Sequence, residues 1–193
     1  PFEKVEVMAP DTSRSGDTGS VSASRMTFMA GSVIRETAEL ALQKWNDEER
    51  PVILAHKHLA IPTTADDPET GHCDPMVAYA YTAEAIEVDV DTVTGQVTIA
   101  NLICATDVGR AINPLQVDGQ VEGALVQAMG YAVMENFVEQ DGVVKTPDFS
   151  TYLIPTVLDI PEKNQNIILE IPDPRGPWGA SGRTCSSTRA SRR

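Results

Sequence analysis

The chain has 193 residues, of which 41% are hydrophobic, and a formal net charge of −13. This length can bury a real core, and the ordinary hydrophobic content argues against disorder of the whole chain. Because an acidic surface repels polyanions, the charge argues against non-specific binding to nucleic acid or to anionic membranes.

The N-terminal sequence and the cysteines indicate a cytoplasmic protein. PFEKVEVMAP lacks the basic region and apolar core of a signal peptide, and no stretch approaches the ~20 apolar residues of a membrane helix. Cys73, Cys104 and Cys185 form no CxxC pair, which predicts free thiols in a reducing compartment. The chain begins without Met in a strand-like stretch, residues 5–8, so we interpret it as part of a longer polypeptide.

A loop, a long helix and a short strand are predicted next along the chain. Residues 11–24 are rich in Ser, Gly and Thr, which is typical of a loop. Apolar residues then recur every three or four positions, which predicts a helix from about residue 25 to residue 46. The apolar run over residues 52–55 predicts a buried strand, and the turn-rich residues 61–75 predict an exposed loop.

The clearest strand pattern covers residues 78–106. Two alternating stretches flank the turn-forming pair Thr94-Gly95, which predicts a β-hairpin. Further short strands are predicted over residues 149–153 and 167–171. Since helices and hairpins are mixed without a regular βαβ alternation, the predicted fold class is α+β.

The segment after the hairpin predicts a helix that is entered through a tight loop. In this loop Gly109 is expected to adopt a conformation that other residues resist, and Asn113-Pro114 to enforce an extended step. Asp118 is the expected N-cap, and an apolar stripe begins at Val121. A second face carries two amides and two glycines at helical spacing: Gln120, Gly123, Gln127 and Gly130.

The glycines on this second face suggest that something approaches the helix backbone. Glycine inside a helix costs about 1 kcal/mol relative to alanine, so several glycines on one face need a reason. Either another helix packs closely or a ligand lies against the face, and the spacing alone leaves both alternatives open. The amides of the same face can donate and accept hydrogen bonds.

Several stretches, in order, resemble the molybdopterin-binding large subunit of xanthine dehydrogenase/aldehyde oxidase-type molybdenum hydroxylases. They are SGDTGSVSASRMTFMAGSVI, AEAIEVDVDTVTGQVTI, ATDVGRAINPLQVDGQVEGALVQAMGYA, FSTYLIPTVLDIP and PDPRGPWGASG. The resemblance implies that residues 1–182 are a partial C-terminal cofactor-binding domain of a larger subunit. Residues 183–193 fall outside it and are expected to be an aberrant, disordered basic tail.

The resemblance implies a molybdenum-pyranopterin cofactor, which a separate bacterial-type subunit would carry as the cytosine dinucleotide. Gln120 matches the glutamine that lies beside the molybdenum centre, whereas Arg110 and Asn113 are expected to be structural. A small-residue loop running into a helix N-terminus suits an anionic group. The family loop that contacts the cofactor matches four residues: Val21, Ser22, Ala23 and Ser24.

The resemblance also implies hydroxylation of an aldehyde or an N-heterocycle with oxygen from water, with a glutamate of a GxxGVGE pattern as the base. Residues 179–182 match the start of this pattern, but Cys185 stands where the glutamate is expected. No catalytic residue is therefore assigned, and the chain alone is expected to be inactive. The tail carries four Arg and no acid, against 11 basic and 28 acidic residues elsewhere, which suggests a frame-shifted end.

The leading hypothesis requires partners outside this chain. These are the upstream part of the large subunit, an iron–sulfur subunit, a flavin subunit with FAD, and a small-molecule substrate. The alternatives are a non-catalytic truncated fragment and a module that docks a protein partner through the glycine face. His56 and His58 would share one face of the predicted strand, as a metal pair would, but no third ligand is evident and no metal site is assigned.

Overall fold

The computed structural model describes residues 6–8, 11–17, 21, 25–47, 50–58, 62–74 and 78–181. Within these ranges helices and strands are mixed, and the predicted α+β class is confirmed. In chain order the elements are α1 (Arg25–Asn46), β1 (Tyr81–Val90), β2 (Val97–Asp107), α2 (Pro114–Val133), β3 (Glu139–Gln140), β4 (Val143–Val144), β5 (Lys163–Leu169) and a 3₁₀ turn (Pro177–Gly179).

The main sheet has three strands in the order β1, β2, β5. β1 and β2 are antiparallel, which confirms the predicted hairpin. Its turn is closed by the Asp91 carboxylate, which accepts the N–H of Val93 at 2.8 Å, and by Gly95 with a φ of +75°. β5 lies parallel to β2, so the chain must cross over the sheet between them, and α2 is part of that crossover.

The core lies where α2 crosses the sheet. Alternate residues of β2 face the helix, because side chains on one face of a strand recur at every second residue. The buried side chains of α2, which recur every three to four residues, pack against them. Asp118 ties the helix to the third strand by accepting a hydrogen bond from the Asn166 side chain at 2.8 Å. The buried cluster consists of Leu102, Cys104, Val108, Val117, Val121 and Leu125.

Helix α1 has the predicted bounds, and only a small part of its surface is buried. Phe28 and Ser32 are its buried residues, whereas Trp45 is 49% exposed. The helix rests on the 3₁₀ turn, where a Cβ at Gly31 would come within 2.8 Å of the Pro177 ring. The turn therefore covers only the N-terminal part of α1.

Two predicted strands in the first part of the chain are wrong. Residues 6–8 form no strand. Residues 52–55 pair with no strand in the described ranges, and Ile53 is 90% exposed. The latter segment is instead attached to α1 by side chains, as the histidines below show. The predicted loop over residues 61–75 is confirmed where the structure describes it.

The strand predicted over residues 149–153 is also wrong, because Asp148 turns the chain there. Its carboxylate accepts the N–H of Ser150 at 3.1 Å, and its carbonyl accepts the N–H of Tyr152 at 2.7 Å. Such side-chain bonds offer the backbone an alternative to a strand ladder. The last predicted strand exists as β5, but it begins and ends earlier than predicted.

Much apolar surface is left uncovered in this chain. Every residue of β1 is exposed, including Ile86, Val88 and Val90. Leu158, in the turn that precedes β5, is 92% exposed. Neither described helix combines the length and the apolar character needed to cross a membrane.

Candidate functional site

Asn113, and not the predicted Asp118, caps the start of α2. Its backbone is extended, with φ −133° and ψ 91°, and its side-chain oxygen accepts the N–H of Gln116 at 3.2 Å. Pro114 follows at the first helical position, where the missing proline N–H costs nothing. The predicted extended step at Asn113 is therefore confirmed, and Asp118 lies inside the helix.

The loop before the helix is joined to the segment that follows β5. Gly109 has the predicted positive φ, +63°, and forms an antiparallel bridge with Ala180. The N–H of Arg110 donates to the Gly179 carbonyl at 2.7 Å, and the N–H of Ser181 donates to the Val108 carbonyl at 2.9 Å. A Cβ at position 109 would lie 2.5 Å from two of these backbone atoms, so only glycine fits.

Two carboxylates brace the same loop from behind. Asp107 Oδ1 accepts the N–H of Gly109 at 3.0 Å and the N–H of Ile171 at 3.2 Å. Glu170 Oε1 accepts the N–H of Ala111 at 2.8 Å. Acceptors of this kind satisfy backbone donors that the turn leaves outside any ladder.

A pocket of about 210 Å³ opens between this loop and the starts of both helices. Complete small-molecule sites usually measure about 300–1,000 Å³, so this pocket has the size of one part of such a site. Its lining residues are Thr27, Val108, Arg110, Ala111, Ile112, Asn113, Gln116, Val117, Gln120, Ala180 and Ser181.

Of the cofactor contacts expected from the sequence, Gln120 lies in the pocket wall. Val21 is 57% exposed and does not line the pocket. Cys185 and the tail lie outside the described residues, as do three members of the expected cofactor loop: Ser22, Ala23 and Ser24.

The structure adds pocket residues that the sequence did not single out. Gln116 lies one helical turn before Gln120 on the same face, a signal that the i, i+4 spacing already contained. Thr27, in the first turn of α1, and Ser181, after the 3₁₀ turn, reach the pocket through long-range packing. No local pattern marks these last two.

The glycines of α2 serve two different purposes. A Cβ at Gly130 would lie 2.5 Å from the Pro155 ring, so this glycine admits a neighbouring loop. A Cβ at Gly119 or at Gly123 would meet nothing within 4 Å. In the described part of the chain no other helix therefore packs closely against Gly119 or Gly123. The helix surface beside Gln120 is open.

The two histidines outside the pocket share one carboxylate. His56 Nε2 and His58 Nδ1 each lie 2.8 Å from a different oxygen of Glu36 on α1. The hydrogen bond from His56 is the main cause that lowers the pKa of Glu36. Within the described ranges no three His, Cys, Asp or Glu side chains are arranged to hold a metal. The contacts with Glu36 instead attach residues 50–58 to α1.

The donor set of the pocket suits part of the implied cofactor. The amides of Gln116 and Gln120 can donate and accept, as the nitrogen and oxygen atoms of a pterin require. The N-terminal turn of α2 lies at the same place and favours negative charge. The residues present therefore fit one side of a pterin with a phosphate group.

Residues 49–161 match the family model described as the molybdopterin cofactor-binding domain. The chain belongs to this family. The matched region contains the hairpin, the loop at Gly109 and the whole of α2, so it includes Gln116 and Gln120. The resemblance to xanthine dehydrogenase/aldehyde oxidase-type large subunits is thereby confirmed at the level of the family.

Known members of the family resemble the chain over most of its length. It is 31% identical over 193 residues to the aldehyde oxidoreductase of Megalodesulfovibrio gigas, in an alignment that covers 93% of this chain and 21% of that protein. It is 27% identical over 195 residues to a probable xanthine dehydrogenase subunit from Bacillus subtilis, with 83% and 26% covered.

A solved structure shares the fold of this molybdopterin-binding chain. The aldehyde oxidoreductase from Desulfovibrio gigas matches with a TM-score of 0.75 and 29% identity, over 93% of this chain and 21% of that one. The chain thus spans about a fifth to a quarter of the length of these relatives.

Proposed function

We propose that this chain is the C-terminal part of the cofactor-binding subunit of a cytoplasmic xanthine dehydrogenase/aldehyde oxidase-type oxidoreductase. The complete enzyme would hydroxylate an aldehyde or an N-heterocycle with oxygen from water. The observation that carries the proposal is the position of Gln120, in the pocket wall at the start of α2. When bound, the molybdenum-pyranopterin would supply the redox chemistry, and this chain would hold and orient it.

Each part of the pocket has a defined task in this proposal. Gln116 and Gln120 would hydrogen-bond the pterin through their amides, and the N-terminal turn of α2 would face its phosphate. A cytosine dinucleotide form is the expected one. Outside this pocket, the loop before α1 would add to the completed site the backbone N–H groups of Val21, Ser22, Ala23 and Ser24 and the hydroxyls of its two serines.

The remaining parts of the enzyme would come from outside this chain. The small pocket and the exposed β1 support an upstream part of the large subunit that completes the site. The Bacillus subtilis relative is named as a subunit, which supports the presence of further subunits. We expect these to carry the iron–sulfur clusters and FAD. The substrate would bind in the completed site.

We further propose that the chain alone does not catalyse. The glutamate base expected after residue 182 is replaced by Cys185, and the arginine-rich tail suggests a frame-shifted end. Resequencing the gene across codons 180–193 tests the frameshift directly. A confirmed arginine-rich reading frame would contradict the frameshift, whereas a restored glutamate would support it.

The cofactor proposal is tested on the complete subunit with its partners. Gln120→Ala removes an amide from the pocket, while Gln127→Ala removes one two turns later on the same face, outside the pocket. We expect Gln120→Ala to lower retained pterin about tenfold after dialysis, since a lost hydrogen bond in a closed site costs about 1–2 kcal/mol. Gln127→Ala should retain wild-type pterin.

Pterin fluorescence and molybdenum analysis measure the outcome. Equal retention by both variants would contradict the role of Gln120. A wild-type complete subunit without pterin would contradict the enzyme proposal itself and favour a module that docks a partner through the open surface at Gly119 and Gly123.

A further inference from the structure

Asp107 and Glu170 stand behind the pocket and do not line it. Asp107 is the last residue of β2, and Glu170 follows directly after β5. These strands are parallel neighbours, so both carboxylates lie at the same edge of the sheet, where the pocket loop leaves it.

A single oxygen of Asp107 joins two segments that are far apart in the chain. Oδ1 accepts the N–H of Gly109, in the pocket loop, and the N–H of Ile171, after β5. Gly109 lies directly against Gly179 and Ser181 and forms the bridge to Ala180, so this oxygen supports the residue that joins the two segments.

Glu170 makes the reciprocal connection. It belongs to the segment after β5, and its Oε1 accepts the N–H of Ala111, a residue that lines the pocket. Two residues later Asn113 caps α2, so the placement of Gln116 and Gln120 depends on where this loop ends. Side chains that hold a site from behind restrict its geometry without contacting the ligand.

We propose that Asp107 and Glu170 are positioning residues. They hold the loop at Gly109–Ala111 and the N-terminal turn of α2 in the geometry that binds a pterin. The inference rests on the proposed function for the nature of the ligand. The loop attachment itself is independent of any ligand and is measured separately.

The experiment compares two aspartates in the complete subunit with its partners. Asp107→Ala and Asp91→Ala each remove a carboxylate that accepts two backbone N–H groups, but Asp91 closes the hairpin turn away from the pocket. We expect Asp107→Ala to speed hydrogen exchange at Gly109 and Ile171 and to raise the rate of pterin loss about tenfold. Asp91→Ala should change exchange only in the hairpin turn and leave pterin loss unchanged.

Conservative variants separate positioning from general stability. Asp107→Asn and Glu170→Gln keep a carbonyl oxygen that can accept the same N–H groups, so they should restore slow exchange and wild-type pterin loss. Glu170→Ala, which removes one bond rather than two, should show a smaller effect at Ala111. It also provides a test should Asp107→Ala fail to accumulate.

The outcomes distinguish this proposal from the proposed function. Faster exchange in Asp107→Ala, with pterin loss no greater than in Asp91→Ala, overturns the positioning role. Unchanged exchange at Gly109 and Ile171 overturns the attachment. A wild-type subunit without pterin contradicts the proposed function, while exchange still decides whether the carboxylates hold the loop.

Discussion

Glu36 shows how one carboxylate can replace a strand partner. Both of its oxygens contact imidazole nitrogens, which hold residues 50–58 beside α1 although that segment joins no sheet in the described ranges. An ionised carboxylate can only accept hydrogen bonds, so His56 donates from Nε2 and His58 from Nδ1. At the other end of the segment, Arg50 stacks on the Trp45 ring and donates to the Trp45 carbonyl. The attachment of the histidine end to α1 therefore depends on the charge of Glu36.

This dependence leads to a prediction about pH. The hydrogen bond from His56 lowers the pKa of Glu36 below its ordinary value of 4.5, and the contribution from His58 is smaller. A carboxyl group with a lowered pKa stabilises the folded state above its ordinary pKa, and the contribution is lost as pH falls through the folded value. Hydrogen-exchange protection of residues 50–58 should therefore decrease below pH 4.5.

The control variants lie on the same helix. Glu36→Gln should weaken protection of residues 50–58 already at neutral pH, because its amide has one acceptor oxygen where Glu36 offers one to each imidazole. It should also remove the pH dependence, because the amide does not titrate. Glu39 lies one turn further along the helix, and its carboxylate approaches Arg35 no closer than 3.8 Å. Glu39→Gln should therefore behave as the wild type. Protection that does not change with pH in the wild type would refute the attachment.

At the scale of the elements, α2 combines a packed end with an open end. A Cβ added at Gly130 would overlap the Pro155 ring, whereas one added at Gly123, on the same face, would meet nothing within 4 Å. Without a bound partner, Gly123→Ala should stabilise the chain by about 0.5–1 kcal/mol, because alanine favours the helix. Gly130→Ala should destabilise it, because its Cβ would overlap the proline ring.

Urea denaturation of the isolated chain measures both changes. A destabilising Gly123→Ala would show that something in this chain already covers the open face. In the complete subunit the same substitution tests whether a ligand or solvent lies against the helix surface at Gly123. Impaired pterin binding would place a ligand on the face, whereas unchanged binding would leave it to solvent.

The elements with a regular period were predictable from the sequence. The bounds of α1 follow from its spacing and from the charged residues before Pro51, and the hairpin from the Thr94-Gly95 turn. The cap of α2 was misplaced because Asp118 and Asn113 are both good capping residues, and the deciding signal was the proline after Asn113. The strand predicted over residues 149–153 was wrong because the hydrogen bonds of the Asp148 side chain cannot be inferred from a pattern of apolar residues.

The whole molecule explains what the sequence could not predict. Gln120 was found through a family motif, but the pocket also needs Thr27 and Ser181, which meet it only after the sheet and both helices pack. The exposed β1 cannot be anticipated from its alternating sequence, because that pattern predicts one covered face. Part of the burial that this alternating pattern predicts is not provided by the described residues of the chain.

A prediction at this scale concerns the uncovered surface. Large exposed apolar patches bind hydrophobic dyes and mark contact with a partner. The isolated chain should therefore enhance the fluorescence of an anilinonaphthalene sulfonate dye, and co-expression with the upstream part of the subunit should reduce the signal several-fold. An Ile86→Lys variant should weaken this association, whereas Glu84→Lys on the same strand should have a smaller effect. Equal dye binding with and without the upstream part would contradict a shared interface.

The bridge between Gly109 and Ala180 also has a consequence for how the protein is made. A polypeptide is synthesised from its N-terminus, and the hairpin and α2 can form as soon as they emerge. The loop at Gly109 acquires its partner only when residues 179–181 have been added, since these supply its bridge and backbone hydrogen bonds. A ribosome that stops before residue 179 releases the hairpin and α2 with an unsupported loop. The loop geometry on which the proposed cofactor site depends would therefore form only after this late segment has left the ribosome.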